Sequence, residues 1–331
     1  MVECAGGGTV NRLRIVFCGT PQFAVPSLKK LLSHPEFEIL GVFTQPDRPR
    51  GRGQELSFSP VKETGISAKI PVHQPAKIRA PEAEEQLRSL APDVVVIIAY
   101  GQIIPARLLP IPRLGWINLH ASLLPKYRGA APIHWAIANG ETLTGNTTMR
   151  IDAGMDTGEM LLQQELTIGP DETAPELSER LAVAGAGLIV ETLHGAQSGK
   201  LTSRPQPSEG VSYAPILKRE HGRIDWGKPA REIYNRMRGF TPWPGAYTEF
   251  RGQTGHLWGQ PCSAGEESAS GKQRDRLPGT LVYRRGKLLV ACGAATRMEL
   301  SYVKLEGRKQ VSALEFANGA RLQPGERFGQ H

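Results

Sequence analysis

The first half of the chain alternates between two patterns of hydrophobic and polar residues. Short, almost continuous apolar runs predict buried strands, and longer segments with apolar residues three or four positions apart predict helices. The predicted strands are residues 13–18, 37–43, 71–73, 93–99, 116–120, 147–151 and 160–168, and the predicted helices are residues 23–32, 82–90 and 174–194. This alternation predicts an α/β fold with a mostly parallel, Rossmann-like sheet and helices on both of its faces.

The pattern changes after residues 197–210, a stretch rich in Ser, Pro and Gly that predicts a linker. One helix is predicted beyond it, at residues 229–237, and a polar stretch at 259–276 predicts a mobile loop. The predicted strands of this part are short, namely residues 246–250, 279–283, 288–291 and 298–305. Short strands separated by turn residues predict a small β-barrel.

These patterns divide the chain into four parts. We expect a disordered tail at residues 1–12, an α/β domain at 13–196, the linker at 197–210 and the barrel domain at 211–331. The last 131 residues hold 21 Lys and Arg against 12 Asp and Glu, a net charge of +9, whereas residues 1–200 hold 19 against 20. A basic domain beside a neutral one suggests a polyanionic partner, although a basic surface can also serve solubility alone.

The strand at residues 116–120 is the most informative position for chemistry. Asn118 and His120 are two residues apart and therefore share one face of the strand. Two polar side chains near the carboxyl end of a buried strand indicate a site, because ligands of open α/β sheets bind at that edge. A histidine in a strand is commonly structural, but beside Asn118 it suits an acid–base or electrophilic role, and the Asn118 amide can donate to an oxyanion.

A third candidate is Asp156, in the turn at residues 152–158. Its carboxylate could fold over the sheet edge and hold His120 in the charged form. The alternative is that Asp and Gly serve here only as ordinary turn residues, and the spacing leaves both open.

Other classes of site are excluded by what the sequence lacks. The turn after the first predicted strand has no Gly-x-Gly-x-x-Gly, which excludes a nicotinamide or flavin dinucleotide site. The cysteines are scattered without metal spacing, so we expect no metal and a reducing cytoplasmic location. No apolar run is long enough to span a membrane, and we expect a monomer without membrane association.

The same residues resemble a known family. The segment at 118–125, Asn-Leu-His-Ala-Ser-Leu-Leu-Pro, together with Met-Asp-Thr-Gly around Asp156, is similar to the folate-dependent formyltransferases. The segments at 44–53 and 238–246, together with Trp226, narrow the resemblance to members that act on methionyl initiator tRNA. The resemblance covers roughly residues 13–305.

The resemblance implies a formyltransferase fold with a C-terminal OB-like barrel, and transfer of a formyl group from N10-formyltetrahydrofolate to the α-amine of methionyl initiator tRNA. It implies that Asn118, His120 and Asp156 are catalytic and that Ser122, Leu123, Leu124 and Pro125 contribute to the folate site. The implied tRNA contacts are Arg48, Arg50, Arg52, Lys218, Arg223 and Arg238. The chain departs from the family at Gln54-Glu55, which makes the acceptor-end loop less basic.

Two alternatives remain open at this point. One is a folate-dependent formyltransferase or hydrolase that acts on a small amine or on water, and the other is a folate- or tRNA-binding protein without catalysis. The basic C-terminal domain argues against the first, and the complete set of Asn118, His120 and Asp156 argues against the second.

Overall fold

The computed structural model describes residues 12–50, 55–263 and 277–329. The chain divides into two compact units. The first comprises the described residues up to Pro132 together with Leu143–Thr167 and Ser178–Ala214, and the second comprises Ile133–Thr142, Ile168–Leu177 and the described residues from Pro215 onward. The domain boundaries expected from the sequence stay a prediction, and residues 1–11 of the expected tail lie outside the described residues.

The first unit is built on a seven-stranded sheet and a small hairpin. The strands are β1 (Leu13–Gly19), β2 (Phe37–Phe43), β3 (Arg48–Arg50), β4 (Glu55–Ser57), β5 (Val72–His73), β6 (Val94–Ile98), β7 (Trp116–His120), β8 (Leu143–Arg150) and β9 (Met160–Thr167). The helices in this part of the chain are α1 (Val25–Leu32), α2 (Pro60–Ser67), α3 (Pro81–Leu90), α4 (Pro132–Ala138) and α5 (Ala174–Gln197).

The strand order of the sheet is β5-β2-β1-β6-β7-β8-β9. The five strands from β5 to β7 are parallel, and β8 and β9 pair antiparallel to their neighbours. Both faces of the central strands are buried, as the continuous apolar runs predict. Ile15 and Phe17 of β1 enter one core cluster with residues of α1 and α5, while Val16 and Cys18 enter the other with residues of α3.

The second unit has an antiparallel sheet. Its elements, in chain order, are α6 (Ala230–Gly239), β10 (Tyr247–Phe250), β11 (Gln253–Pro261), β12 (Leu281–Arg284), β13 (Lys287–Ala291), β14 (Arg297–Leu305), β15 (Val311–Ser312) and α7 (Ala313–Ala320). The strand order is β10-β11-β14-β13-β12, with β15 beside β14.

The end of the described chain lies between the two edge strands of this sheet. Gly329 donates its backbone N–H to Glu249 of β10 at 2.8 Å, and Leu281 of β12 donates to Glu326 at 2.8 Å. These bonds satisfy backbone groups that an open edge would leave unpaired. The arrangement is that of a small barrel, and the predicted fold class, an α/β sheet followed by a β-barrel, is confirmed.

Several elements differ from the sequence-based expectation. The strand β11 occupies residues that include part of the expected loop at 259–276, and its inward-facing positions are Gly255, Leu257 and Gly259. Two glycines in three inward positions hide the hydrophobic alternation on which strand prediction depends. Addition of a Cβ at Gly259 would bring it to 2.4 Å from the Glu299 carbonyl oxygen, so the close approach of β14 requires glycine there.

The helices α2 and α7 were also not expected. Helix α2 begins after Ser59, whose hydroxyl accepts the Lys62 N–H at 3.1 Å. Helix α7 begins with a capping box in which Ser312 and Glu315 exchange bonds. Both start signals are visible in the sequence, in Ser59 before Pro60 and in Ser312 three residues before Glu315.

Candidate active site

Strand β7 places Asn118 and His120 on one face at its carboxyl end. Asn118 lies opposite Ile97 of β6, and His120 lies opposite Thr147 of β8. His120 is only 6% exposed, whereas Asn118 is partly exposed. Within the part of the chain that the structure describes, the Asn118 side chain makes no hydrogen bond. Its amide N–H groups therefore remain available to a ligand.

A tight turn follows β7 and is held by two side chains from neighbouring strands. Thr147 donates its hydroxyl to the Ser122 carbonyl oxygen at 2.7 Å and accepts the Leu124 N–H at 3.1 Å. Gln163 of β9 donates its amide to the Leu124 carbonyl oxygen at 3.0 Å and to the Thr147 hydroxyl at 2.9 Å. The Ser122 hydroxyl donates across the turn to the Lys126 carbonyl oxygen at 2.6 Å. The backbone after β7 is therefore fixed by β8 and β9.

This turn contains the four residues predicted to contribute to the folate site. Ser122 and Leu124 are buried, and the Leu124–Pro125 peptide bond is cis. Leu123 and Pro125 are partly exposed. A ligand at this edge would therefore meet Leu123 and Pro125, while Ser122 shapes the turn through its internal hydrogen bond. The folate contacts themselves stay a prediction.

The His120 ring lies between a carbonyl oxygen and a carboxylate. Its Nε2 lies 2.9 Å from the Tyr127 carbonyl oxygen, and because a carbonyl only accepts, Nε2 carries the proton of this bond. Its Nδ1 lies 3.7 Å from Asp156 Oδ2, which is within ion-pair range but longer than a hydrogen bond. The predicted pairing of His120 with Asp156 is thus present in the geometry, although the sequence spacing left it open.

Asp156 is held in place by the turn that follows β7. Its Oδ2 accepts the Gly129 N–H at 2.8 Å. Its backbone is left-handed, with φ of 54°, a conformation that Asp tolerates better than most residues. Tyr127, which offers its carbonyl oxygen to His120, is also left-handed, with φ of 61°. Backbone strain at both positions is a feature that clusters at functional sites.

One group of potential metal ligands occurs among the described residues. It consists of His34, Glu36 and His194, with Glu36 Oε1 at 3.0 Å from His34 Nδ1 and 2.9 Å from His194 Nε2. A hydrogen bond from its own backbone and one from His194 lower the pKa of Glu36 to about 2. None of the predicted catalytic residues belongs to this group.

Comparison with known families gives two matches that together span most of the chain. A model described as formyl transferase matches residues 13–193, and a model described as formyl transferase, C-terminal domain, matches residues 216–321. The chain belongs to the formyl transferase family. The resemblance inferred from the segment at 118–125 is therefore confirmed.

Similar proteins agree with this assignment. A protein of Solibacter usitatus named methionyl-tRNA formyltransferase is 50% identical over 319 residues, which is 96% of this chain and 99% of that protein. One of Geobacter sulfurreducens with the same name is 48% identical and covers 96% of this chain and 97% of its own length.

Solved structures share the fold. The N-formyltransferase from Helicobacter canadensis in complex with folinic acid and dTDP-3-aminofucose matches with a TM-score of 0.63, at 18% identity over 88% of this chain and 99% of its own. WlaRD, a sugar 3N-formyl transferase in the presence of dTDP and 5-N-formyl-THF, matches with a TM-score of 0.61 at 18% identity, over 90% of this chain and 99% of its own.

Among the helices that the structure describes, none has the length and apolar character of a membrane span.

The predicted acceptor-end loop of this formyltransferase family member lies in and around a hairpin. The backbones of Arg48 and Arg50 belong to β3, which pairs with β4 so that Arg48 lies opposite Ser57 and Arg50 opposite Glu55. Arg52 and Gln54 lie outside the described residues. The hairpin shows that the polar stretch after β2 has regular backbone pairing, which its Gly- and Pro-rich composition does not predict.

Two of the predicted tRNA contacts in the second unit are exposed. The Lys218 side chain is 63% exposed and lies 3.8 Å from Glu220, and that of Arg223 is 52% exposed and lies 3.7 Å from Glu249. Exposed pairs at such distances hold a side chain weakly, typically by less than about 1 kcal/mol. The Lys218 ammonium can therefore exchange its carboxylate partner for a phosphate.

Arg238 differs from them, and its predicted contact with tRNA needs correction. It is 4% exposed, and its Nη1 donates to the carbonyl oxygens of Gly169 and Glu172 at 3.1 and 3.0 Å. Its Nε and Nη2 donate to Asn235 Oδ1 at 3.1 and 2.9 Å. Burial lowers the pKa of this guanidinium. A buried guanidinium with these partners is not available to a phosphate, so Arg238 holds the second unit together instead.

Thr147 and Gln163 were not singled out by the sequence. Both lie in strands of ordinary polar and apolar composition, and no local pattern marks them. The register of β7 against β8 brings Thr147 beside His120, and that register is set by pairing between distant parts of the chain. Only the assembled sheet shows that they support the turn after β7.

Proposed function

We propose that this protein transfers the formyl group of N10-formyltetrahydrofolate to the α-amine of methionyl initiator tRNA. The observation that carries the proposal is the grouping of Asn118, His120 and the Asp156 carboxylate at one edge of the sheet. The names of the similar proteins, methionyl-tRNA formyltransferase at 45–50% identity, support the acceptor.

Asn118 and His120 stabilise the charge that develops during transfer. The neutral α-amine attacks the formyl carbon, and the carbonyl oxygen becomes an oxyanion as the new N–C bond forms. The free amide of Asn118 donates to this oxygen. Within the described residues, no hydrogen bond engages Nδ1 of His120. When the ring is protonated, this nitrogen donates its N–H to the oxyanion. Each such donor typically lowers the activation barrier by about 3–4 kcal/mol.

Asp156 supports the charged form of His120 and accepts the proton that the amine loses. Collapse of the oxyanion breaks the bond between the formyl carbon and N10, and overall one proton moves from the amine to N10. The proton moves from the amine to Asp156 through a water molecule. The reaction requires no metal and no change of oxidation state.

The donor and the acceptor bind through different kinds of surface. Leu123 and Pro125 offer apolar contact to the folate, on a backbone fixed by Thr147. The tRNA binds mainly through phosphates, which explains the +9 charge of residues 201–331. Lys218 and Arg223 provide such contacts in the second unit. The contacts of the acceptor end are Arg48, Arg50 and Arg52.

We assign catalysis to residues 13–196 and tRNA binding to residues 211–331. We also propose that the protein acts as a monomer in the cytoplasm. The cysteines of the described residues, Cys18, Cys262 and Cys292, are buried thiols that form no disulfide with one another, which fits a reducing compartment. Light scattering of the purified protein, alone and with tRNA, measures the oligomeric state.

The test is transfer of radiolabelled formyl from N10-formyltetrahydrofolate, with charged initiator tRNA and charged elongator tRNA assayed side by side. We expect label on the methionine of the initiator species. The matched control is initiator tRNA that carries no amino acid, which has no α-amine and should remain unlabelled.

Two results would contradict the proposal in different ways. Release of free formate at the same rate with and without tRNA would assign the protein to the hydrolases. Absence of label on tRNA, with label on an amino sugar nucleotide, would assign it to the transferases of small amines, whose fold it shares.

A further inference from the structure

The segment that follows α5 is hydrogen-bonded to the candidate active site. Gln206, in the stretch whose composition predicts a linker, is half-buried and uses both ends of its side-chain amide. Its Oε1 accepts from Arg128 Nε and Nη2 at 3.0 and 2.7 Å. Its Nε2 donates to the carbonyl oxygens of Asp156 and Gly158, each at 2.8 Å.

These four bonds link the Arg128 side chain to the backbone of Asp156 and Gly158, and both Arg128 and Asp156 belong to segments that face the His120 ring. Arg128 follows Tyr127, whose carbonyl oxygen accepts the His120 Nε2 proton at 2.9 Å. Asp156 faces the other ring nitrogen at 3.7 Å. Gln206 therefore connects the two segments that carry the neighbours of the imidazole, through the Arg128 side chain on one side and the Asp156 backbone on the other. An amide with two donors and one acceptor matches the two carbonyls and the guanidinium, and no other neutral side chain of that length does.

The next residues extend this contact along the backbone. The Ser212 hydroxyl accepts the Tyr127 N–H at 2.9 Å. Arg128 donates its N–H to the Ser212 carbonyl oxygen at 2.9 Å and accepts the Ala214 N–H at 2.7 Å. Addition of a Cβ at Gly129, where φ is 119°, would bring it to 2.8 Å from the Ala214 carbonyl oxygen. The segment thus lies against the turn like an added strand.

The other end of the segment is fixed to the sheet. Arg204 and Met160 of β9 exchange backbone hydrogen bonds, both at 2.8 Å. Residues 204–214 are therefore bonded at one end to β9 and at the other to the turn after β7, with Gln206 between them. We call this segment the strap.

We infer that the strap supports the catalytic residues from outside the catalytic segment, and that Gln206 is a positioning residue that sets Asp156 against His120. The inference rests on the proposed function, because it takes those two residues as catalytic. Ser212 assists by holding Tyr127 in its left-handed conformation, which aims the Tyr127 carbonyl oxygen at the ring. A catalytic group displaced by about 1 Å can lose about 100-fold in rate.

The first test is Gln206→Ala in the full chain, assayed by formyl transfer well below the melting temperature of each variant. We expect kcat to fall about 10- to 100-fold, with KM for the folate and for tRNA within about 3-fold of wild type. Gln86→Ala, an exposed glutamine of α3, is the matched control and should retain wild-type kcat. A kcat for Gln206→Ala within about 2-fold of wild type would overturn the inference.

A double-mutant cycle with Asp156→Asn separates positioning from a general structural role. If Gln206 acts through Asp156, Gln206→Ala should change kcat by less than about 3-fold in the Asp156→Asn background. An equal, multiplicative loss in both backgrounds would show that Gln206 does not act through Asp156, and the inference would fail.

Ser212 gives a second route if Gln206→Ala does not fold. Ser212→Ala removes the bond to the Tyr127 N–H and should lower kcat about 3- to 10-fold, whereas Ser212→Thr keeps a hydroxyl and should restore it. Equal activity of the two variants would contradict the role of Ser212.

Failure of the inference is distinguishable from failure of the proposed function. If the wild-type protein formylates a small amine or releases formate, the same variants are assayed in that reaction, because the strap acts on His120 and Asp156 whatever the acceptor. If His120→Ala retains normal turnover, the catalytic assignment itself fails.

Discussion

The two regions to which function is assigned are built in opposite ways. In the first unit, His120 is 6% exposed, and its Nε2 is fixed by a 2.9 Å hydrogen bond to a turn that is itself bonded to β8, β9 and the strap. In the second unit, Lys218 and Arg223 are 63% and 52% exposed and lie 3.8 and 3.7 Å from their acidic neighbours. One region is constrained, and the other presents its charges to solvent.

The difference follows from what each region has to do. Stabilisation of an oxyanion falls steeply with misplacement of the donors, and the His120 ring is accordingly held by a hydrogen bond to a turn that is itself hydrogen-bonded. Attraction of phosphates acts over about 10 Å at moderate salt and tolerates mobile side chains. Arg238 shows that charge alone does not assign a residue to the second group, because its guanidinium is buried and donates four hydrogen bonds within the second unit.

The largest effect that this comparison predicts is at His120. His120→Ala should lower kcat by about 1,000-fold, since it removes a charged donor from the oxyanion and the partner of Asp156. Single-turnover transfer of labelled formyl measures the loss, and the affinity for tRNA should stay within about 2-fold. His194→Ala, at an exposed histidine of α5, is the control and should be as active as wild type. Normal turnover of the His120→Ala variant would show that His120 and the residues that hold it are not part of the catalytic mechanism.

Asn118→Ala should lower kcat by about 100- to 1,000-fold with little change in stability, because the lost amide donates to the oxyanion and to nothing else in the described protein. Steady-state kinetics and a thermal melt on the same sample measure the two quantities. Asn318→Ala, at an exposed position of α7, is the matched control. A large drop in melting temperature for Asn118→Ala would instead indicate a structural asparagine.

Arg238→Ala tests whether Arg238 stabilises the second unit or contacts tRNA. It leaves the carbonyl oxygens of Gly169 and Glu172 and the Asn235 amide oxygen without their donor, and we expect a loss of about 2–4 kcal/mol in the free energy of unfolding. Denaturant unfolding followed by tryptophan fluorescence measures it. Arg223→Ala is the comparison and should lie within about 0.5 kcal/mol of wild type. Unchanged stability together with weakened tRNA binding would show that Arg238 contacts tRNA, as the resemblance implies.

The smallest effects are expected at the exposed cations. Lys218→Ala and Arg223→Ala should each weaken tRNA binding about 2- to 10-fold at physiological salt and lower the slope of log affinity against log salt by about 1. Filter binding at several salt concentrations measures both. Lys29→Ala, at an exposed lysine of α1, should leave the slope unchanged. Slopes equal to wild type in both variants would show that these cations only solubilise the second unit.

Parts of this architecture were predictable from the sequence because they depend on local pattern. The strand β6 lies within the apolar run predicted at residues 93–99, since a strand buried on both faces by its neighbours needs apolar residues throughout. By contrast, β11 was missed because two of its inward positions are glycines, and at Gly259 the backbone of β14 leaves no space for a side chain. A glycine that is required by the close approach of another strand adds no hydrophobic residue to the sequence pattern, so the pattern does not reveal the strand.

The sequence by itself determined that Asn118 and His120 share a face, because residues two apart on a strand always do. It also determined, through the segment at 118–125, the family to which the chain belongs. Only the tertiary structure decided that Asp156 lies 3.7 Å from His120, that Arg238 is buried, and that Gln206 joins the two neighbours of the imidazole. The physical reason is that these relations depend on register and packing between segments far apart in the chain, which local periodicity does not encode.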